Sequence, residues 1–161
     1  MNLKLLYILF FSILALVSCE NEKINKEYEV DFSEGEYYCF IDTLIQENNK
    51  YHLIVDFVNY LTGEKAYNEA MKNGDYFING NDTIADITDD YYIANNNPKL
   101  RKFQFFEQVK INTYYAEKGR KTVISKENFI DSIKSLNDIY GLFYIKYNEG
   151  KIISIDETFI P

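Results

Sequence analysis

Apolar and polar positions alternate along two long stretches early in the chain. Residues 36–47 and 51–61 both carry the two-residue period of a β-strand. In the second, His52, Ile54, Asp56, Val58 and Tyr60 alternate with Leu53, Val55, Phe57 and Asn59, so apolar residues fall on both faces. Asn48-Asn49-Lys50 between them predicts a hairpin connection. The period then lengthens. Ala66, Tyr67, Ala70 and Met71 form a helical stripe, with Thr62 placed to cap it, Glu64 in the first turn and Gly74 as its stop. The small alanines predict close packing of this helix on a sheet. Residues 79–90 (NGNDTIADITDD) read as a polar, acidic loop. A short strand at 91–94 ends at Asn95-Asn96-Asn97-Pro98, and strands are predicted at 100–106 and 109–115. Ser125 caps a second helix whose Phe129, Ile133 and Leu136 recur on one face. A hairpin of residues 142–147 and 151–155, turning at 148–150, closes the chain. Runs of strands with two helices predict one α+β domain over residues 36–161. Its expected shape is an antiparallel, strongly curved sheet or a small, partly closed β-barrel.

The first residues follow neither period. Lys4 precedes an apolar run over residues 5–18, LLYILFFSILALVS. As a helix that run rises about 21 Å, short of the roughly 30 Å hydrocarbon core of a bilayer. Its length and flanking charge read as an export signal over residues 1–18. The run ends in Leu16-Val17-Ser18-Cys19, which resembles the lipobox of bacterial lipoproteins. That resemblance implies cleavage before Cys19, attachment of lipid to its thiol and a mature chain partnered with a membrane through that lipid. The implied place is the bacterial cell envelope, at the outer membrane, on its periplasmic face or the cell surface. An ordinary secretory signal with an incidental cysteine and an uncleaved anchor are the alternatives. The match at all four lipobox positions favours the lipoprotein.

Cysteine and charge follow from this. The chain holds two cysteines, and lipidation of Cys19 leaves Cys39 without a disulfide partner within the chain. Cys39 shares a strand face with Tyr37 and Ile41 and reads as a small buried hydrophobe. Residues 1–18 carry one lysine and no acid, so their removal takes the net charge from −8 to −9. A balance that acidic argues against nucleic acid as a partner. Glu20, Glu22, Glu27, Glu29, Asp31, Glu34 and Glu36 crowd one segment, against only Lys23 and Lys26. Residues 19–35 therefore read as an acidic, flexible tether.

Three landmarks carry a further likeness. They are Thr62-Gly63-Glu64-Lys65-Ala66, the stretch DYYIxNxNPxLR at residues 90–101, and GKIxxIxExFxP at residues 150–161. Together they resemble a group of uncharacterised secreted and lipid-anchored bacterial domains. The likeness covers most of residues 36–161 and implies an extracytoplasmic location and a compact single domain, with no activity attached. The NGNDT stretch departs from the pattern.

Candidate chemistry is sparse. His52 is the one histidine and stands mid-strand, no GxSxG elbow is present, and no glycine-rich phosphate loop occurs. No cofactor is implied. Among 25 acidic residues no catalytic pair stands out, so a hydrolase working through carboxylates is the alternative rather than the leading reading. Asn81, Asp82 and Asp86 offer hard oxygen ligands of the calcium type, without EF-hand spacing. Thr83, in Asp82-Thr83-Ile84, resembles an extracytoplasmic O-glycosylation acceptor. The segment of Tyr91, Tyr92, Asn95, Asn97 and Arg101 is the candidate recognition patch. Its asparagines favour a rigid turn, and Arg101 presents a planar fork suited to a carboxylate. The structural counter-reading pairs Arg101 with Glu157 or Asp156. The leading expectation is a non-enzymatic binding module whose partner is an envelope protein or a glycan.

Overall fold

A computed structural model describes residues 28–29, 33–87, 89–115, 120–135 and 141–160. The signal run and Cys19 lie outside the described residues. Nine strands and two helices are present among them: β1 (Glu34–Glu47), β2 (Lys50–Thr62), α1 (Glu64–Asn73), β3 (Tyr76–Asn79), β4 (Asp82–Ala85), β5 (Tyr91–Ala94), β6 (Leu100–Tyr115), β7 (Arg120–Ile124), α2 (Lys126–Ser135), β8 (Leu142–Asn148) and β9 (Lys151–Thr158). No helix among the described residues is long and apolar enough to cross a membrane.

The main sheet runs β5-β2-β1-β8-β9-β6-β7, and β2 also pairs with β6. That extra pairing closes β2, β1, β8, β9 and β6 into a five-stranded barrel. The α+β class with a curved sheet and two helices therefore holds, and the closure is complete rather than partial. One ladder departs from the antiparallel expectation, since β6 and β9 run parallel. A hairpin (β8–β9) that enters beside β1 has only one free neighbour left for β9, and its direction is fixed by β8.

Alternation builds the interior. Cys39 and Ile41 of β1, Leu53, Val55 and Phe57 of β2, Phe103 and Phe105 of β6, and Phe143, Ile145 and Tyr147 of β8 all enter one buried cluster. Ile152 and Ile155 of β9 join it despite their odd spacing. A register shift against β8 leaves Ile153 bulged and part-exposed between them. The β1–β2 turn takes Asn48 and Asn49 at φ 49° and 62°, the mirror-image geometry that suits a tight hairpin.

Helix α2 starts at Ser125, whose Oγ accepts from the Asn128 N–H at 3.1 Å. It buries Phe129, Ile130 and Ile133 against the barrel, with Phe129 edge-on to both Phe105 and Phe143. Helix α1 instead covers the outer face of β2. Ala66 and Ala70 are fully buried, and Ile54, Val58, Ala85 and Ala94 are buried outside the barrel cluster. The cap of α1 is Gly63 rather than Thr62, with no side-chain bond, while Gly74 stops the helix at φ 86° as expected.

The segment 79–90 is not the loop its polarity predicts. Asp82–Ala85 pairs with Tyr76–Asn79 in a two-stranded sheet that turns through Gly80 and Asn81. Likewise 100–115 is one strand with an irregularity between Phe105 and Lys110, and β7 was not foreseen. Strand β1 begins at Glu34, inside the stretch read as tether, and Glu29 makes a parallel bridge to Arg101. Glu29 N–H donates to the Leu100 carbonyl at 3.3 Å, and Lys102 N–H to the Glu29 carbonyl at 2.8 Å.

Candidate functional site

The barrel has two ends, and α2 occupies one. The other is the end at which β1 and β6 begin and β8 finishes. There the inward positions are Gly35 and Tyr37 of β1, Phe57 and Asn59 of β2, Arg101 of β6 and Tyr147 of β8. They line a cleft of about 390 Å³, together with Ser33, Glu34, Glu36 and the loop residues Asn96 and Asn97. That volume falls in the range of small-ligand sites, which commonly lie in barrel mouths.

Its floor is aromatic. Tyr147 is 2% exposed and lies 4.6 Å from Phe103 and 5.8 Å from Phe57 between ring centroids. Tyr37 stacks on Phe57 at 4.7 Å and 12°, yet 47% of it remains exposed. The Arg101 guanidinium carbon lies 4.4 Å from the centre of the same Phe57 ring. Strand β2 lies between β1 and β6, so Tyr37 and Arg101 reach the Phe57 ring from its two flanking strands. Gly35 makes the arrangement possible: a Cβ there would meet the Tyr147 hydroxyl at 2.7 Å. The requirement is for space and involves no unusual φ.

Polar groups rim this floor. Arg101 Nη1 donates to the Lys99 carbonyl at 2.8 Å. Glu36 pairs with Lys146 at 2.6 Å. Hydrogen bonds from Lys146, then from Tyr144, hold the Glu36 carboxyl below its ordinary pKa, and the same contact raises Lys146. A glycosidase acid needs the opposite shift, upward through burial. Glu36 is therefore not held in the protonated form that such an acid requires.

The predicted recognition segment divides in two. Asn97 and Arg101 reach the cleft, and Asn96 accompanies them. Tyr91, Tyr92 and Asn95 do not line it. Tyr91 packs on Tyr60 at 5.7 Å. The Tyr92 hydroxyl donates to Asp75 and accepts from Asn73, and the Asp75 bond raises its pKa. Asn95 donates to Asp56 at 2.6 Å. Tyr91 and Asn95 thus fasten β5 and its exit to barrel strand β2, while Tyr92 ties β5 to the end of α1. The suggested partners of Arg101 are also elsewhere: Asp156 accepts from Asn112, and Glu157 accepts from the Tyr114 N–H.

The remaining candidates take structural positions. Asn81 sits in the β3–β4 turn, Asp82 opens β4, and Asp86 lies past its far end. Four residues of strand separate Asp82 from Asp86 by roughly 13 Å, so the three lie along a hairpin rather than around a point. No group of three His, Cys, Asp or Glu among the described residues is arranged to hold a metal. Thr83 is exposed, but in a strand rather than a loop, with its carbonyl accepting from the Tyr67 hydroxyl at 3.3 Å. Cys39 is fully buried, and burial pushes its thiol pKa far up. His52 is half-buried, which lowers its pKa. Gly35, Phe57 and Tyr147 are the site residues that sequence reasoning missed. Gly35 reads as tether and Phe57 and Tyr147 as ordinary strand positions, and only closure of the barrel brings them together.

The chain matches no family model, no curated protein and no solved structure.

Proposed function

We propose that the protein is a non-enzymatic, lipid-anchored envelope module that binds a glycan at the open barrel mouth. The observation that carries this is the half-exposed Tyr37 ring, stacked on Phe57 in a cleft rimmed by amides, a guanidinium and carboxylates. Pyranose rings pair an apolar C–H face with a belt of hydroxyls, and an aromatic platform with a mixed polar rim complements both. The strand connectivity agrees. A five-stranded closed barrel with parallel third and fifth strands, and a helix before the fourth, is that of oligonucleotide- and oligosaccharide-binding barrels. This is analogy at the level of fold, and the net charge of −8 argues against nucleic acid, with its phosphate on every unit, as the occupant.

The envelope location rests on the apolar run over residues 5–18 and the Leu16–Cys19 motif. Outer-membrane anchoring, on either face, follows from the same reading. Palmitate labelling in producing cells tests it. Cys19→Ser is expected to lose both the label and membrane retention, and retained label would sink the anchor. Binding is tested by retardation in gels cast with the cells' own envelope polysaccharide. Tyr37→Ala is expected to abolish retardation, and equal mobility of both proteins with and without polysaccharide would defeat the reading.

A further inference from the structure

We propose that the glycan taken by the mouth is acidic, and that Arg101 receives a carboxylate of it. This rests on the mouth being a glycan site and adds the class of sugar. Arg101 stands at an inward position of β6, above the Phe57 ring and inside the cleft. One of its five donors is committed to the Lys99 carbonyl. No carboxylate among the described residues pairs with it, in a chain of 25 acids. The acids around it are turned elsewhere. Glu29 pairs with Lys99 at 2.8 Å and Glu36 with Lys146 at 2.6 Å. Glu34 and Glu36 line the cleft at the β1 positions that alternate with Gly35 and Tyr37, and neither pairs with Arg101.

A guanidinium stacked on a ring at the wall of a cleft keeps its remaining N–H edge for whatever enters. That planar fork matches a carboxylate with two parallel hydrogen bonds, which a hydroxyl cannot reproduce. The stack also sets a length. Separations of 4.7 Å and 4.4 Å from the one Phe57 ring put the Tyr37 ring and the Arg101 carbon at most about 9 Å apart. That span suits two neighbouring sugar units, one at each group. The occupant is therefore a short oligosaccharide, with a uronate or similar acidic unit at Arg101 and its neighbour against Tyr37.

The test uses the full processed chain and two probes of similar length, trigalacturonate and maltotriose, followed by NMR of the tyrosine rings. Trigalacturonate is expected to shift the Tyr37 and Tyr147 resonances and to bind at least about tenfold tighter than maltotriose, the factor one charge-assisted contact supplies. Arg101→Gln is expected to bring that ratio close to one. Arg101→Lys, which keeps the charge without the fork, is expected to retain part of the preference and guards against a folding defect. Equal affinity for both probes in the native protein overturns the acidic class and leaves the glycan reading standing. Resonances at the mouth that respond to neither probe overturn the glycan reading itself. A preference that survives intact in a folded Arg101→Gln protein removes Arg101 from the site.

Discussion

At one end of the barrel Phe129, Ile130 and Ile133 of α2 drive apolar side chains between the strands and close it. At the other, Tyr147 and Phe57 close the interior one layer down, and a polar cleft is left above them. The first end satisfies itself, because the α2 side chains that enter the barrel are apolar and buried. The second holds a guanidinium and a half-exposed ring whose surfaces are completed only by something from outside. Stability and recognition are thus housed at opposite poles of one small domain. Loss of volume is therefore expected to be costly at the helix-capped pole, and loss of an exposed side chain cheap at the open one.

The largest break of this contrast comes at the capped pole. Phe129→Ala leaves a cavity among Phe105, Phe143 and the helix, and is expected to cost about 3–5 kcal/mol in denaturant unfolding. Saccharide binding by the folded fraction is expected to be unchanged. If binding falls in step with stability, the two poles are not separate. Gly35→Ala comes next. Its Cβ collides with the buried Tyr147 ring, so the expected cost is about 1–3 kcal/mol, with loss of retardation in polysaccharide gels. A neutral result would show that Tyr147 has room to retreat. Tyr37→Ala removes a ring that is half in solvent and two stacked pairs, with Phe57 and Tyr147, together worth about 1–2 kcal/mol. A small change in melting temperature with binding abolished sharpens the contrast, while a loss of several kcal/mol would make Tyr37 a core residue.

The smallest effect concerns pH. Glu36 is lowered and Lys146 raised by their mutual contact. A lowered carboxylate contributes above its unfolded pKa and loses that contribution as pH falls through the folded value. A raised lysine contributes below its unfolded pKa and loses it as pH rises through the folded value. Glu36→Gln is therefore expected to reduce the melting temperature slightly, and only between about pH 5 and 10. Screening at the exposed rim keeps the change small. A difference that widened at pH 3 would mean another group is responsible.

Much of the frame is legible locally. The alternation at residues 36–47 and 51–61, the Asn48-Asn49 turn, the Ser125 cap and the Gly74 stop each depend on neighbours a few positions away, and each appears where those neighbours put it. The β3–β4 hairpin was hidden because its strands bury almost nothing, Ala85 excepted, so no core-facing period marks them. Asp82, Thr83 and Ile84 read as loop for that reason. Strand β7 is short and mostly exposed, and fails to register in the same way. The irregularity after Phe105 breaks the alternation and makes one strand look like two. Parallel pairing of β6 with β9 depends on partners far apart in sequence, which no window of residues contains. The site divides along the same line. Asn97 and Arg101 stand out through a turn signature and a scarce residue type, whereas Gly35, Phe57 and Tyr147 converge from three strands only when the ring closes.

The bridge between Glu29 and Arg101 has a mechanical meaning. A pull on the chain ahead of Glu29 is delivered to β6 beside the mouth, not to the capped pole. If Cys19 carries the lipid, at most ten residues separate it from that point of attachment, a leash of about 35 Å when fully extended. The domain would then be held from the side of its open end. Its search volume would be a thin shell above the membrane, in which chains rooted in that surface are met and chains released from it are not.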